Sequence, residues 1–196
     1  MKFKYVLITA VFFITQSSVN GQNLDDFNQD RLKMTKQGML VLGSWATANI
    51  IASPFLAADA SGSDKYFQQM NGYWNGINLL IAGFGYFSAR KMANQRFSLS
   101  ESLREQQKLE KTLLFNAGLD IGYMLGGLYM IERSKNDQAN ANRFRGFGES
   151  LLLQGGFLFA FDVIFYLVQK KHGAKLFSIV DNLALSPSGF RVVWKI

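Results

Sequence analysis

Four windows of twenty residues, almost free of charge, alternate with charged segments along the chain. They cover residues 38–57, 70–89, 112–131 and 150–169. Within these windows Asp120 and Asp162 are the charged residues. An α-helix needs roughly 20 apolar residues to cross about 30 Å of hydrocarbon. The pattern therefore predicts an all-α membrane protein whose core is a four-helix transmembrane bundle, formed by residues 22–175.

Residues 1–21 have the pattern of a secretory signal peptide. Lys2 and Lys4 give a positive start, a short apolar core runs from Tyr5 to Thr15, and small residues precede Gln22. We therefore expect cleavage before Gln22, which places the mature N-terminus in the periplasm of a bacterium. The protein itself is expected in the inner membrane as a multi-pass protein.

The tail, residues 176–196, has a residue pattern different from that of the predicted spans. Two apolar stretches, residues 183–185 and 190–194, flank Ser186-Pro187-Ser188-Gly189, which is a typical turn sequence. Apolar stretches on both sides of a short turn predict a β-hairpin. We expect this hairpin to rest against the helix ends or the headgroup layer, because an isolated hairpin is marginally stable in water.

Small residues recur at four-residue spacing within the predicted spans. Gly118, Gly122 and Gly126 form a groove along one side of the third helix, where another helix can approach closely. Asp120 lies about 200° around the helix from Gly118, off this groove. Further helix-packing positions of the same kind are Gly72, Gly76, Gly156 and Ala160.

We define side A as the end of the bundle that holds residues 23–37, residues 90–111 and the residues after 169. Asp120 and Asp162 both lie about 11–12 Å below the side A surface, and Asn49 and Asn78 lie near the bilayer middle. These four residues form the candidate site, a polar layer for a cation, a proton or a small ligand. The alternative, which we favour, is that they are interhelical hydrogen-bonding groups that fix the register of the helices.

The charges outside the spans conflict with the predicted signal peptide. Fourteen Lys and Arg residues of the mature chain fall on side A and five on the opposite side, and the positive-inside rule places the richer side in the cytoplasm. A cleaved signal places side A outside. Either the first 21 residues do not translocate, or span 1 or span 2 fails to cross, or the charge rule is broken here. We prefer the signal, because export signals act first.

Composition narrows the classes of function. The net charge is +7, which juxtamembrane Lys and Arg facing anionic headgroups explain better than nucleic-acid binding, since no basic groove is interleaved with stacking aromatics. With no cysteine and one histidine, the sequence contains neither disulfides nor a usual metal-ligand cluster. It predicts no metal and no cofactor. We expect His172, beside Lys170 and Lys171, to be solvated.

Three motifs resemble a family of small bacterial four-helix membrane proteins with an N-terminal signal and no assigned activity. The motifs are Asn71-Gly72-Tyr73-Trp74-Asn75-Gly76, Asp120-Ile121-Gly122-Tyr123 and Gly148-Glu149-Ser150. The resemblance implies no role for any residue. We therefore expect a non-enzymatic protein that associates through its small-residue faces with itself or another membrane protein. The alternative is a small transporter or cation or proton carrier that uses Asp120 and Asp162.

Overall fold

A computed structural model describes residues 2–176 and 178–179, with side chains from residue 23 onward. The chain forms four α-helices: α1, Lys2–Ala58; α2, Gly62–Met92; α3, Leu99–Ser134; and α4, Ala141–Gly173. Each helix contains one predicted window, so the all-α four-helix architecture is confirmed. No β-strand occurs in the described part, and the strands of the predicted C-terminal hairpin lie outside it.

The connections are short, so consecutive helices run antiparallel. Residues 59–61, 93–98 and 135–140 join the helices, and the helices extend well beyond the predicted windows into the charged segments. The start of α3 follows from a capping box, as its sequence predicts. The Ser98 hydroxyl accepts a hydrogen bond from the Glu101 amide at 3.3 Å, and the Glu101 carboxylate accepts one from the Ser98 amide at 2.8 Å.

The helices pack as a series of neighbours. α1 packs along α2, α2 along α4, and α4 along α3, whereas α1 makes few contacts with α3 or α4. A small apolar cluster joins three helices through Leu42, Ala82 and Leu158. On the α1 side, Trp45 stacks on Phe157 with ring centroids 4.0 Å apart. α2 and α4 are therefore the central pair, and α1 and α3 lie at the two ends of the series.

The distribution of polarity is the reverse of that in a water-soluble bundle. Asn75, Gln154 and Ser150 are fully buried, whereas Phe84 and Phe115 are 75% and 67% exposed. Large exposed apolar side chains occur on all four helices. Soluble proteins seldom leave large contiguous apolar surfaces uncovered, so this surface is suited to lipid or to a protein partner.

Two of the described helices are long and apolar enough to cross a membrane. They are the part of α1 from Asn23 to Ala58, with mean hydropathy 1.4, and α4, with mean hydropathy 2.0. Only 17% and 22% of their most apolar windows are buried, so most of this apolar surface is uncovered within the bundle. The prediction of four spans is thereby supported for α1 and α4, and α2 and α3 do not meet the same criterion.

The predicted glycine groove of α3 does not pack within the bundle. A Cβ atom added to Gly118, Gly122 or Gly126 would meet no atom within 4 Å. Because Asp120 lies on nearly the opposite side of the helix and is buried, the groove must face outward. Gly76 and Gly156 are equally open, Ala160 is exposed, and Gly72 makes ordinary contact with Ser53. Within the bundle Gly72 therefore contacts α1, whereas a Cβ atom at Gly76, Gly156 or the three groove glycines would reach no neighbouring helix.

Other glycines make the close contacts between helices. A Cβ atom at Gly148 would lie 2.6 Å from the carbonyl oxygen of Gly127, and one at Gly127 would lie 2.7 Å from the carbonyl oxygen of Gly148. Gly146 approaches the backbone of α2 at Ser63 and Phe67 even more closely. Backbone contact at these glycines sets the distances of α4 from α3 and from α2 near the end opposite side A.

We predict that Gly148→Ala destabilises the protein, because its Cβ atom would collide with the backbone of α3. Overpacking of this kind costs about 1–3 kcal/mol. Gly122→Ala is the matched control, since its Cβ atom enters open space and alanine favours the helix by about 0.5–1 kcal/mol. Thermal unfolding of both variants in the same detergent checks this. A Gly148→Ala midpoint at or above that of Gly122→Ala would contradict the packing described.

Candidate functional site

A stripe of three asparagines is buried along α2. Asn71, Asn75 and Asn78 are separated by four and three residues, which places them on one face of the helix. Their exposed fractions are 4%, 0% and 4%. A primary amide buried without partners is strongly unfavourable, so this face of α2 has to meet other polar groups.

Asn71 is the centre of the resulting hydrogen-bond network. Its side-chain oxygen accepts from the Ser150 hydroxyl at 3.1 Å and from the Gln154 amide at 2.7 Å, and both donors lie on α4. Its side-chain nitrogen donates to Asn49 of α1 at 3.2 Å. One side chain thus links three helices, and the acceptor capacity of its oxygen is filled by α4.

The indole of Trp45 completes the link between α1 and α4. Its Nε1 donates to the side-chain oxygen of Gln154 at 2.9 Å, while Asn49 donates to the Trp45 carbonyl at the same distance. Gln154 therefore both donates and accepts inside the bundle although none of its surface is exposed. The network holds α1 in place despite its few contacts with α4.

The two predicted amides belong to this network but do not touch each other. Asn49 bonds to Asn71, and Asn78 donates to the Asn75 side chain at 3.4 Å. Asn75 in turn donates to the Asn71 carbonyl at 2.9 Å. The structure therefore places Asn49 and Asn78 at separate points of one network rather than side by side.

The two predicted aspartates are brought together between α3 and α4. Asp120 is 3% exposed and Asp162 is 6% exposed, and their carboxyl groups lie within hydrogen-bonding reach of each other. One carboxyl oxygen of Asp120 has no hydrogen-bond partner. Two interacting buried carboxylates are unfavourable when both are ionised, so a shared proton, a bound cation, neighbouring donors or water would be needed to satisfy them.

The described residues include no group of three or more His, Asp or Glu side chains that could hold a metal ion. The Asp120 and Asp162 pair alone would give a cation only carboxylate oxygens from two residues. A divalent ion would need further oxygen ligands from amides, carbonyls or water. This arrangement is better suited to a proton or a weakly held monovalent cation.

Five members of the network were not among the predicted site residues: Trp45 and the two pairs Asn71 and Asn75 on α2 and Ser150 and Gln154 on α4. The sequence did contain a signal for the two polar pairs. Asn71 and Asn75 are four residues apart, as are Ser150 and Gln154, and the same spacing continues on the buried face of α4 to Leu158 and Asp162. Polar residues at helical spacing within an apolar window mark the buried face. The asparagines of α2 instead counted as evidence against a span.

A second buried polar cluster lies at side A, where α1, α3 and the end of α4 meet. Asn28 of α1 donates to the Ser102 hydroxyl of α3 at 2.8 Å. The imidazole of His172 donates to the Phe27 carbonyl at 2.9 Å and stacks on the Phe27 ring at 4.3 Å. His172 is 5% exposed, so the expectation of a solvated histidine is wrong. Phe27 of α1 covers one face of its ring.

We predict that Asn71→Ala destabilises the protein by about 1–3 kcal/mol, because the buried Ser150 and Gln154 side chains lose their acceptor. A double-mutant cycle with Gln154→Ala gives the matched comparison. Residues in direct hydrogen-bond contact couple by about 0.5–3 kcal/mol. Strictly additive free energies of unfolding for the two single variants would contradict a direct interaction.

We predict that His172 contributes stability that is lost as pH is lowered below about 6.5. Burial lowers the pKa of His172 below its ordinary value, although the hydrogen bond to Phe27 opposes this shift. The unfolded chain therefore takes up a proton at higher pH than the folded chain, so the stabilisation present above about pH 6.5 is lost below it. His172→Gln should flatten this pH dependence of the thermal midpoint. An identical slope in the variant would assign the effect to other groups.

Comparison with known proteins places the chain in a family. A model of DUF6992, described as a family of unknown function, matches residues 41–163. This range begins within α1 and contains all of α2 and α3, the three buried asparagines of α2 and both aspartates of the predicted site. The comparisons with curated proteins and with solved structures gave no match. The chain belongs to DUF6992, a family of unknown function.

Proposed function

We propose that the chain is an integral protein of the bacterial inner membrane and that all four helices cross the bilayer. The observation that carries this proposal is the reversed polarity of the bundle, with amides and carboxyls inside and large apolar side chains outside. In hydrocarbon every polar group must find a hydrogen-bond partner within the protein, whereas apolar side chains can face the lipid without a free-energy penalty.

The same observation explains why α2 and α3 fall short on mean hydropathy. The mean hydropathy of a helix gives a buried asparagine the same weight as an asparagine that faces lipid. On α2 the asparagines point inward, and the outward residues include Ile77, Leu80 and Phe84, which are 57%, 62% and 75% exposed. The surface that would meet lipid is therefore as apolar on α2 as on helices that satisfy the average.

We further propose that residues 1–21 act as a signal peptide and that side A faces the periplasm. The hydrophobic export pattern at the N-terminus supports this orientation, and the excess of Lys and Arg on side A opposes it. Reporter fusions at Ser61 and Gln107, which lie at opposite ends of the bundle, distinguish the two orientations. If a reporter that works only in the cytoplasm is active when fused at Gln107, side A is cytoplasmic and the proposed orientation is wrong.

The proposed role is non-catalytic association with a second copy of the chain or with another membrane protein. The outward groove of Gly118 and Gly122 on α3 supports it, because both glycines are exposed and unoccupied within the bundle. Close approach at small residues is a common mode of helix association in membranes. Three grooves of about 200, 450 and 600 Å³ open on the surface of the described bundle and are lined by residues other than Asp120 and Asp162.

We predict that Gly122→Leu weakens association, because a leucine side chain fills the groove that a partner helix would enter. Gly83→Leu on α2 is the matched control, since Gly83 is also open but lies off this face. Chemical cross-linking in native membranes and the molar mass of the purified protein in detergent provide the measurements. Equal association of wild type and both variants would contradict a role for this groove.

The second candidate function is a proton or monovalent cation site at Asp120 and Asp162. The contact between the two carboxyl groups, with one Asp120 oxygen unpartnered, favours it. Such a site would serve a carrier that opens to water in a different conformation. Ionisable residues inside membrane helices mark proton and ion pathways in many transporters.

If the pair binds a cation, we predict that Na⁺ or K⁺ raises the thermal midpoint of the wild type. The double variant Asp120→Asn with Asp162→Asn should still fold but should lose this rise. The amides keep the volume and hydrogen-bonding capacity of the site but remove its charge. Asp59→Asn, outside the spans, serves as the control. No dependence of the wild type on either ion would eliminate the cation site.

A further inference from the structure

A groove of about 200 Å³ lies at side A between α1, α2 and α3. Its polar lining consists of Arg31, Thr35, Ser88, Glu105, Lys108 and Thr112. The rest of the lining is formed by small and apolar residues of the same helices. The groove thus combines two cations, one carboxylate and three hydroxyls at the level where the charged helix ends meet the apolar spans.

Arg31 is the unusual member of this lining. It is 3% exposed, and one Nη atom donates to the Asn28 side chain at 3.1 Å. Its guanidinium lies 5.3 Å from the centre of the Phe97 ring. Its Nε atom has no hydrogen-bond partner in the described part of the chain. A buried arginine with an unused donor is strongly disfavoured unless an acceptor completes it.

The charge of Arg31 is not balanced by an ion pair. Glu105 attracts the guanidinium, but no salt bridge to Arg31 forms within 4.0 Å among the described residues. Burial lowers the pKa of Arg31 from its ordinary value, although arginine stays charged at neutral pH. Since Lys108 adds a second positive charge, the groove keeps a net positive charge.

This groove continues into a second one on the surface of α3. Lys108 and Thr112 also line a groove of about 450 Å³ together with Arg104, Lys111 and Phe115. The basic residues recur at positions 104, 108 and 111, which share one face of the helix. Phe115, one turn further into the predicted span, is 67% exposed. A positive surface thus leads directly to an apolar one.

We propose that the groove of Arg31 and Lys108 binds the phosphate group of an anionic phospholipid. The planar donors of arginine suit phosphate oxygens, and Thr112 supplies a further hydroxyl donor, whereas the hydroxyls of Thr35 and Ser88 already donate to the Arg31 carbonyl and the Met92 sulfur. The acyl chains would follow the apolar surface at Phe115. Basic pockets between membrane helices at the level of the headgroups are suited to such lipids. The lipid source of the phosphate rests on the proposed membrane location.

Lys108→Gln tests the site without removing a buried group, because Lys108 is exposed. The full chain is purified in detergent and titrated with phosphatidylglycerol, phosphatidylcholine and inorganic phosphate, with binding measured by native mass spectrometry. Wild type should prefer phosphatidylglycerol. Lys108→Gln should weaken that binding about fivefold, which is the effect of one basic residue beside an anionic surface. Arg31→Gln should weaken it at least as much.

Lys33→Gln is the matched control, since it removes the same charge from an exposed position of α1 that does not line the groove. Equal lipid binding by Lys33→Gln and Lys108→Gln would overturn the site. Inorganic phosphate that binds as well as phosphatidylglycerol would overturn the lipid as its source. Release of the protein from membranes by an alkaline wash would instead refute the membrane location itself, so the two failures are distinguishable.

Discussion

The hydrogen bonds that Asn71 makes to Ser150, Gln154 and Asn49 are the constraint on which the bundle depends. In hydrocarbon an amide without partners is expensive, and water is absent to supply them. Because one residue of α2 is bound to α1 and to α4, the rotation of all three helices about their axes is set together.

The same requirement orients α3. Asp120 and the glycine groove lie on nearly opposite sides of that helix, so only one of them can face α4. The carboxyl takes the inner position beside Asp162, and Gly118 and Gly122 are left outside. α4 is then held close to α3 by a different pair, Gly127 and Gly148, whose backbones meet. At side A, Asn28 and His172 close the bundle with further buried hydrogen bonds.

The number of helices, their approximate positions and the pairing of the aspartates could be predicted from the sequence. Charge-free windows mark helices directly, and equal depth along antiparallel neighbours brought Asp120 to Asp162. The sequence predicted a glycine groove on α3 but not whether it faces the bundle or a partner outside it, because spacing shows which residues share a face but not which face turns inward. The Asn71 network and the burial of His172 depend on contacts between distant segments, and no local pattern reveals which amides meet.

The most direct test of the central claim is whether the outer faces of α2 and α3 lie in lipid. The chain has no cysteine, so single cysteines can be introduced without background. Ile81 and Leu125 are 53% and 60% exposed on these helices, and Ser61 lies in the connection between α1 and α2. In native membranes a water-soluble maleimide should label Ser61→Cys quickly and leave Ile81→Cys and Leu125→Cys unlabelled until the protein is denatured. Labelling of all three at similar rates would contradict the account.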